Sequence, residues 1–278
     1  MNIYNSPSRL LSCLALPLCV IATISRLDAQ IALTSANNTY DQDFNSLVDV
    51  NIGSSTFYDW VNNYTIPGWY AALTDGEAIS RIRATNGPTS RNTTPLSISR
   101  SSGTEGALTL TGGTFTNDSV KHGMFGVYFV NAGTTTITSL TISYRGEQWA
   151  HMSGSEDRLD FQYSLDATSL SDGTWIDHNA LDFVALKTSS SSPTQINGNS
   201  SGNYTSISAT ITGLSLAPGQ TFWLRWVDFD GPDEEQVLGV DNFTLSATFA
   251  SSIPEPSGYA LAAGIGILAV VASRRRRR

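Results

Sequence analysis

Residues 221–249 read TFWLRWVDFDGPDEEQVLGVDNFTLSATF. On both sides of the turn cluster Asp230-Gly231-Pro232, apolar and polar residues alternate at period two, with β-branched and aromatic types prominent. This is the pattern of half-buried strands, here Thr221–Asp228 and Val237–Phe249. It recurs upstream and predicts strands at Ala107–Thr111, Met124–Val130, Thr135–Tyr144, Arg158–Ser164, Asp182–Leu186 and Thr205–Ile211. Between them stand Asn131-Ala132-Gly133, Ser171-Asp172-Gly173, Asn197-Gly198-Asn199 and Pro218-Gly219, all turn formers. Nothing from Gln30 to Ile253 reads as a long amphipathic helix. Roughly eight strands in one run predict an all-β fold, an antiparallel β-sandwich of jelly-roll type. Residues 30–105 are less regular and predict an edge strand near Thr39–Leu47 and a long surface excursion.

Composition agrees with such a core. Of 278 residues, 40% are apolar and only 14% charged, which argues against global disorder. The formal charge of −8 conceals a segregated pattern. Arg9, Arg26 and Arg274–Arg278 lie at the two ends, with Asp28 and Glu255. Without those ends, 9 basic residues face 22 acidic ones, so the body carries a charge near −13. A field of that sign repels phosphate backbones and excludes nucleic acid as a natural partner. Both cysteines, Cys13 and Cys19, fall in the N-terminal apolar segment. The body therefore has no disulfide, thiolate ligand or cysteine nucleophile.

Residues 1–29 have the three parts of a secretory signal peptide: a polar start ending at Arg9, the apolar run Leu10–Ile24, and Ala29 as a small residue before cleavage. An apolar run of about 15 residues is the length of a signal-peptide core rather than of a full span. At the other end, Pro254-Glu255-Pro256-Ser257 precedes an uncharged stretch of 16 residues, Gly258 to Ser273, and then Arg274, Arg275, Arg276, Arg277 and Arg278. This resembles the PEP-CTERM tail of exosortase substrates, in which a Pro-Glu-Pro motif, a short apolar helix and a basic terminus follow in order. The physics agrees. A helix over 258–273 reaches about 24 Å, short for a permanent transmembrane span. The arginines act as a stop-transfer signal and stay cytoplasmic, leaving the body outside.

The chain is thus read as a signal peptide (1–29), a β-sandwich extracellular domain (30–252) and a sorting tail (253–278). The implied partners are the export machinery, an exosortase-like processing enzyme and, before processing, the inner membrane. The implied destination is the cell surface or extracellular matrix.

Within the body, Trp223-Leu224-Arg225-Trp226-Val227-Asp228 and the closing segment Leu238-Gly239-Val240-Asp241-Asn242-Phe243 resemble strands of secreted lectin-like and carbohydrate-binding-module-like jelly rolls. That resemblance implies an adhesive or polysaccharide-associated protein without enzymatic activity. In such jelly rolls an Asp on the last strand often ligates a structural calcium, which draws attention to Asp241.

The acidic run Asp228-Phe229-Asp230-Gly231-Pro232-Asp233-Glu234-Glu235 could aim Asp228 and Asp230, with Asp241, at one Ca²⁺. The same run also reads as a solvated acidic hairpin loop. His122, His151 and His178 are isolated, without zinc-ligand spacing. Gly198-Asn199-Ser200-Ser201-Gly202 matches G-x-S-x-G but lies in a polar loop, without the strand and helix of a nucleophile elbow. The rival reading is a secreted polysaccharide hydrolase of β-sandwich fold, with two carboxylates among Glu147, Glu156, Asp157 and Asp160 facing each other across a groove. A binding protein would instead present aromatic faces to sugar rings, and Trp69 and Trp149, in polar or turn-like surroundings, are the candidates.

Overall fold

The computed structural model describes residues 30–47, 57–87, 95–101, 105–111, 114–116, 119–152, 157–188, 190, 192–228 and 236–251, together with Arg275. The expected signal peptide (1–29), the Pro254-Glu255-Pro256 motif, the helix expected over 258–273, Asp230, Glu156 and the terminal arginines other than the exposed Arg275 lie outside the described residues. Among the described residues, no helix is long and apolar enough to cross a membrane.

The described strands form two large sheets that pack into a sandwich, beside a small hairpin of Thr114–Thr116 and Ser119–Lys121. In the first sheet, Thr221–Asp228 lies between Gly123–Asn131 and Arg158–Ser164, antiparallel to both. The far edge of Gly123–Asn131 is shared end to end by Trp69–Leu73, antiparallel, and Ile31–Leu33, parallel. Phe183–Val184 and Ile176–Asp177 share the far edge of Arg158–Ser164. The second sheet is built on Ile137–His151 paired with Val237–Phe249. Tyr204–Leu216 and Thr194–Gln195 line the outer edge of Ile137–His151. Beyond Val237–Phe249 come Thr39–Gln42 and Ala107–Thr111, then Leu96–Ser99, Arg81–Thr85 and Phe57–Asp59.

Two expectations change. The sheets are mixed rather than antiparallel, because Ile31–Leu33 and the Arg81–Thr85/Leu96–Ser99 pair run parallel. A parallel pair needs a crossover rather than a hairpin, and alternation within a strand carries no information on that choice. Residues 57–87 and 95–99 are also not an excursion. They supply strands to both sheets and bury Trp60, Ile66, Trp69, Ile82, Leu96 and Ile98.

The inter-sheet core follows from the alternation. In Thr221–Asp228, Phe222, Leu224 and Trp226 point inward, whereas Trp223, Arg225 and Val227 take the outer face. Trp226 sits at the centre, stacked on Trp69 at 6.0 Å and met edge-on by Tyr144, Phe161 and Phe243. Each such aromatic adds roughly 1.5–3 kcal/mol by burial. Edge-to-face contacts also suit the ring quadrupoles.

In Val237–Phe249 the inward residues switch from Leu238 and Val240 to Phe243, Leu245 and Ala247. The switch occurs at Asn242, whose φ is 50°, where the register shifts between Ser143 and Arg145 of the partner strand. This bulge puts Asp241 on the outer face and Phe243 in the core with one residue between them.

Candidate functional site

Both sheets carry organised side chains on their outer faces. On the first sheet, Tyr70 from Trp69–Leu73 and Tyr128 from Gly123–Asn131 flank Trp223. Tyr128 stacks on the indole at 4.4 Å, and Tyr70 meets it edge-on at 4.7 Å. Both tyrosines are half-buried and so partly open to solvent. The segment after Ser164 folds back over this face, placing Ala167 and Leu170 against Trp223. Its turns are held by side chains: Asp166 Oδ1 accepts from Thr174 N at 2.7 Å, and Asp172 Oδ1 accepts from Ser169 N at 2.9 Å.

That fold-back brings Trp175 against Arg225, whose guanidinium carbon lies 3.8 Å from the ring centre. Arg225 also donates to Gln162 Oε1 at 2.8 Å and to the Leu170 carbonyl. Burial lowers its pKa to about 10, so it stays charged at neutral pH. Gln162 in turn donates to Asp177 Oδ1 at 2.6 Å. Asp177 lines a groove of about 370 Å³ with Arg158, Asp160, Asn179, Asp182 and Val184. Asp182 Oδ1 accepts from Phe161 N at 2.8 Å, and desolvation raises its pKa. An aromatic strip thus runs through a cation and an amide into a polar groove, all on one side of the molecule. Chemically, such a surface offers ring faces beside hydroxyl-seeking donors and acceptors.

On the second sheet, Glu147 and Asp241 occupy adjacent strands and face outward, yet they are 0% and 1% exposed. Glu147 Oε2 accepts from Trp149 Nε1 at 2.9 Å, and Arg145 Nε lies 3.0 Å from its Oε1. Arg145 also reaches Glu105 at 3.3 Å and Asn199 at 3.1 Å, and it stacks on Tyr204. Desolvation raises the Glu147 pKa to about 7, with Arg145 and Trp149 opposing it. Asp241 is raised to about 8, first by desolvation and then by the charge of Glu147. Among the described residues, Glu105, Glu147 and Asp241 are the one group of three side chains of metal-ligand type with ligand atoms within 4.8 Å of one another.

The residues singled out in the sequence land differently. Trp69 is wholly buried between the sheets, where its Nε1 donates to Tyr40 at 2.9 Å. Trp149 is wholly buried beneath the 194–203 segment, with the place of a Gly198 Cβ only 2.4 Å from the indole. Neither ring offers a face to a sugar, so the expectation for both is corrected; polar neighbours in sequence did not mean solvent in space. The close approach of Trp149 explains the glycine that opens the G-x-S-x-G match. Asp228 ends a strand of the first sheet, 3.6 Å from His122, whereas Asp241 belongs to the second sheet. Asp241 is therefore grouped with Glu105 and Glu147 rather than with Asp228. Glu147 and Asp160 project from the outer faces of opposite sheets and do not share a groove. The aromatic strip escaped the sequence reading, because Tyr70, Tyr128 and Trp175 come from three separate segments. Its one local signal was the outward half of the alternation in Thr221–Asp228.

No protein-family model matches the chain, and no curated protein matches it in sequence. Among solved structures, the K3 cleaved adhesin domain of Lys-gingipain from Porphyromonas gingivalis W83 is similar at 12% identity and a TM-score of 0.39, over 68% of this chain and 99% of that one. The CBM22-1 xylan-binding domain of Paenibacillus barcinonensis Xyn10C gives 12% identity and a TM-score of 0.31, over 76% and 95%. The xylan-binding module CBM15 gives 14% identity and 0.34, over 71% and 100%. Backbone agreement at this level does not extend to a shared ligand.

Proposed function

We propose that the protein is an exported, non-enzymatic surface module that binds polysaccharide across the outer face of its first sheet. The observation that carries this is the run of partly exposed rings Tyr70, Tyr128 and Trp175, with Trp223 buried between the first two, through Arg225 to the groove of Asp160, Asp177, Asn179 and Asp182. Sugar rings present apolar C–H faces and a rim of hydroxyls. Aromatic rings meet the first, and carboxylates, amides and a guanidinium meet the second. A single stacking contact contributes on the order of 1 kcal/mol, so one copy binds modestly. Many copies on one surface gain through avidity. Delivery rests on the sequence of the two ends: residues 1–29 direct export, and the Pro254-Glu255-Pro256 tail is sorted by an exosortase-type enzyme.

The test is retention of the full chain, held in detergent, on immobilised extracellular polysaccharides. Trp175→Ala and Tyr70→Ala are each expected to weaken retention on the bound polysaccharide about fivefold, one stacking contact apiece. Melting curves would check that both variants remain folded. Failure to bind any polysaccharide, or retention of both variants equal to that of the unaltered chain, overturns the reading. New reducing ends that disappear in Asp160→Asn would favour the hydrolase instead.

A further inference from the structure

The second sheet ends on Tyr204–Leu216, 13 residues that pair with Ile137–His151 on one side. Among the described residues, no strand pairs with the other side. The short helical turn Asn179–Leu181 packs against the strand without taking any of its backbone hydrogen bonds. A free edge is a row of unmet N–H and C=O groups, and chains usually blunt it by shortness, charge, proline or a cover. This chain does so elsewhere. Ile31–Leu33, Phe57–Asp59, Ile176–Asp177 and Phe183–Val184 are only two or three residues long. Trp69–Leu73 is plugged by Asn62, which accepts from Ala71 N at 2.8 Å and donates to the Ala71 carbonyl at 3.3 Å. Tyr204–Leu216 has no such device. Its sequence, YTSISATITGLSL, holds no charge and no proline. The regular part runs from Tyr204 to Thr212, about 30 Å, before Gly213 turns at a φ of 73°. Gln148 N donates to the Asn203 carbonyl at 2.8 Å, and the register from Glu147–Tyr204 to Ser139–Thr212 is unbroken. Alternation therefore turns the N–H and C=O groups of Tyr204, Ser206, Ser208, Thr210 and Thr212 to the open side. The apolar margin is open as well, since Ile207 and Ala209 pack on the core yet stay partly exposed.

We infer that this edge binds a second copy of the chain, strand against antiparallel strand, across a two-fold axis at Ser208. The strand is its own complement. With Ser208 opposite Ser208, Ser206 meets Thr210 and Tyr204 meets Thr212, which forms about ten backbone hydrogen bonds. On the inner face Ile207 meets Ala209, so each copy covers the apolar margin of the other. Charge favours the same occupant. The body is acidic, so copies repel one another in general, but on this strand no like charges oppose each other. A basic peptide would find no carboxylate on the strand to select it. Pairing consumes the free edge of both copies, so assembly closes at two. The axis stands perpendicular to the joined sheet, and both aromatic strips therefore face the same way, where one polysaccharide can engage two. The edge belongs to the second sheet and the strip to the first, so either proposal can fail without the other.

The experiment is sedimentation of the full chain in detergent over a dilution series. A dimer that dissociates on dilution is expected, and added salt should tighten it by screening the repulsion between acidic bodies. Ser208→Lys and Ser208→Asp each set like charges opposite one another and should weaken the dimer about fivefold. An equimolar mixture of the two variants should regain the lost pairing, because residue 208 faces its own copy across the axis. Melting curves check that both variants remain folded. A monomer throughout, or assemblies larger than two, overturns the proposal. So does a mixture as weak as the single variants, or a dimer that salt loosens. A dimer indifferent to both variants overturns it as well and assigns the contact to another face or to the C-terminal stretch. If the variants do not fold, hydrogen exchange of the unaltered chain decides. Protection of the Ser206, Ser208 and Thr210 amides that rises with protein concentration supports the edge, and its absence overturns it.

Discussion

Glu147 and Asp241 hold their protons far above the usual carboxylate range, near 7 and 8, chiefly because burial disfavours the charged forms. In the unfolded chain both return to about 4. Between about pH 4 and pH 8 the folded chain therefore binds more protons than the unfolded one, and stability falls as pH rises. The contribution is fully present below the unfolded value and is lost as pH climbs through the folded ones. In chelator, the melting temperature is expected to drop steadily from pH 5 to pH 8.5, and the drop should shrink in Asp241→Asn. A flat profile in this window would show that the two groups are not desolvated as described. Trp69 and Trp149 show the same rule for uncharged side chains, since each indole N–H is buried with a specific acceptor, Tyr40 or Glu147.

At the scale of elements, the Asn242 bulge decides what the last strand presents. Without it, period-two alternation would send Asp241 and Phe243 to the same face, and one of them would be wrongly placed. Asn tolerates the left-handed backbone that the bulge requires, and β-branched residues do not. Asn242→Val is expected to cost about 1–3 kcal/mol of unfolding free energy. Asn242→Gly should stay within about 1 kcal/mol of the parent. Denaturant melts of the two variants check this, and equal losses would mean that the conformation is not the constraint. The break is legible in the sequence, because the apolar positions of Val237–Phe249 change parity at Asn242. The strands at Ala107–Thr111, Arg158–Ser164, Thr221–Asp228 and Val237–Phe249 were legible with their ends, since turn formers or a change of pattern flank each one. Of the short strands described between residues 31 and 99, Thr39–Gln42 was anticipated within the edge strand near Thr39–Leu47, and the others were not. Three to five residues are too few to establish a period, and their partners lie far along the chain.

At the scale of the whole molecule, an acidic β-sandwich sequence is set between an apolar N-terminal stretch and a short apolar C-terminal stretch that ends in five arginines. If the tail is a removable address, mass analysis of protein recovered from the native envelope should find no peptide containing Arg274–Arg278. Recovery of the intact terminus from cells with active processing would contradict sorting by cleavage. Deleting the arginines should release chain into the medium, because nothing then stops the short helix from passing through.

The amino-acid sequence by itself determined the strand-rich class, the absence of thiol chemistry from the body and the layout of the two ends. Each of these is a local property: a period, a residue type or a linear order of charge and hydropathy. Tertiary structure alone decided which strands run parallel, which tryptophans are covered and which carboxylates meet. Alternation states that a side chain points to one face of a strand, but what lies over that face is set by segments far away in the chain. Glu105, Glu147 and Asp241 come from three segments that touch only when the second sheet is assembled. The burial of Glu147 and Asp241, and with it their shifted protonation, exists only in the folded chain.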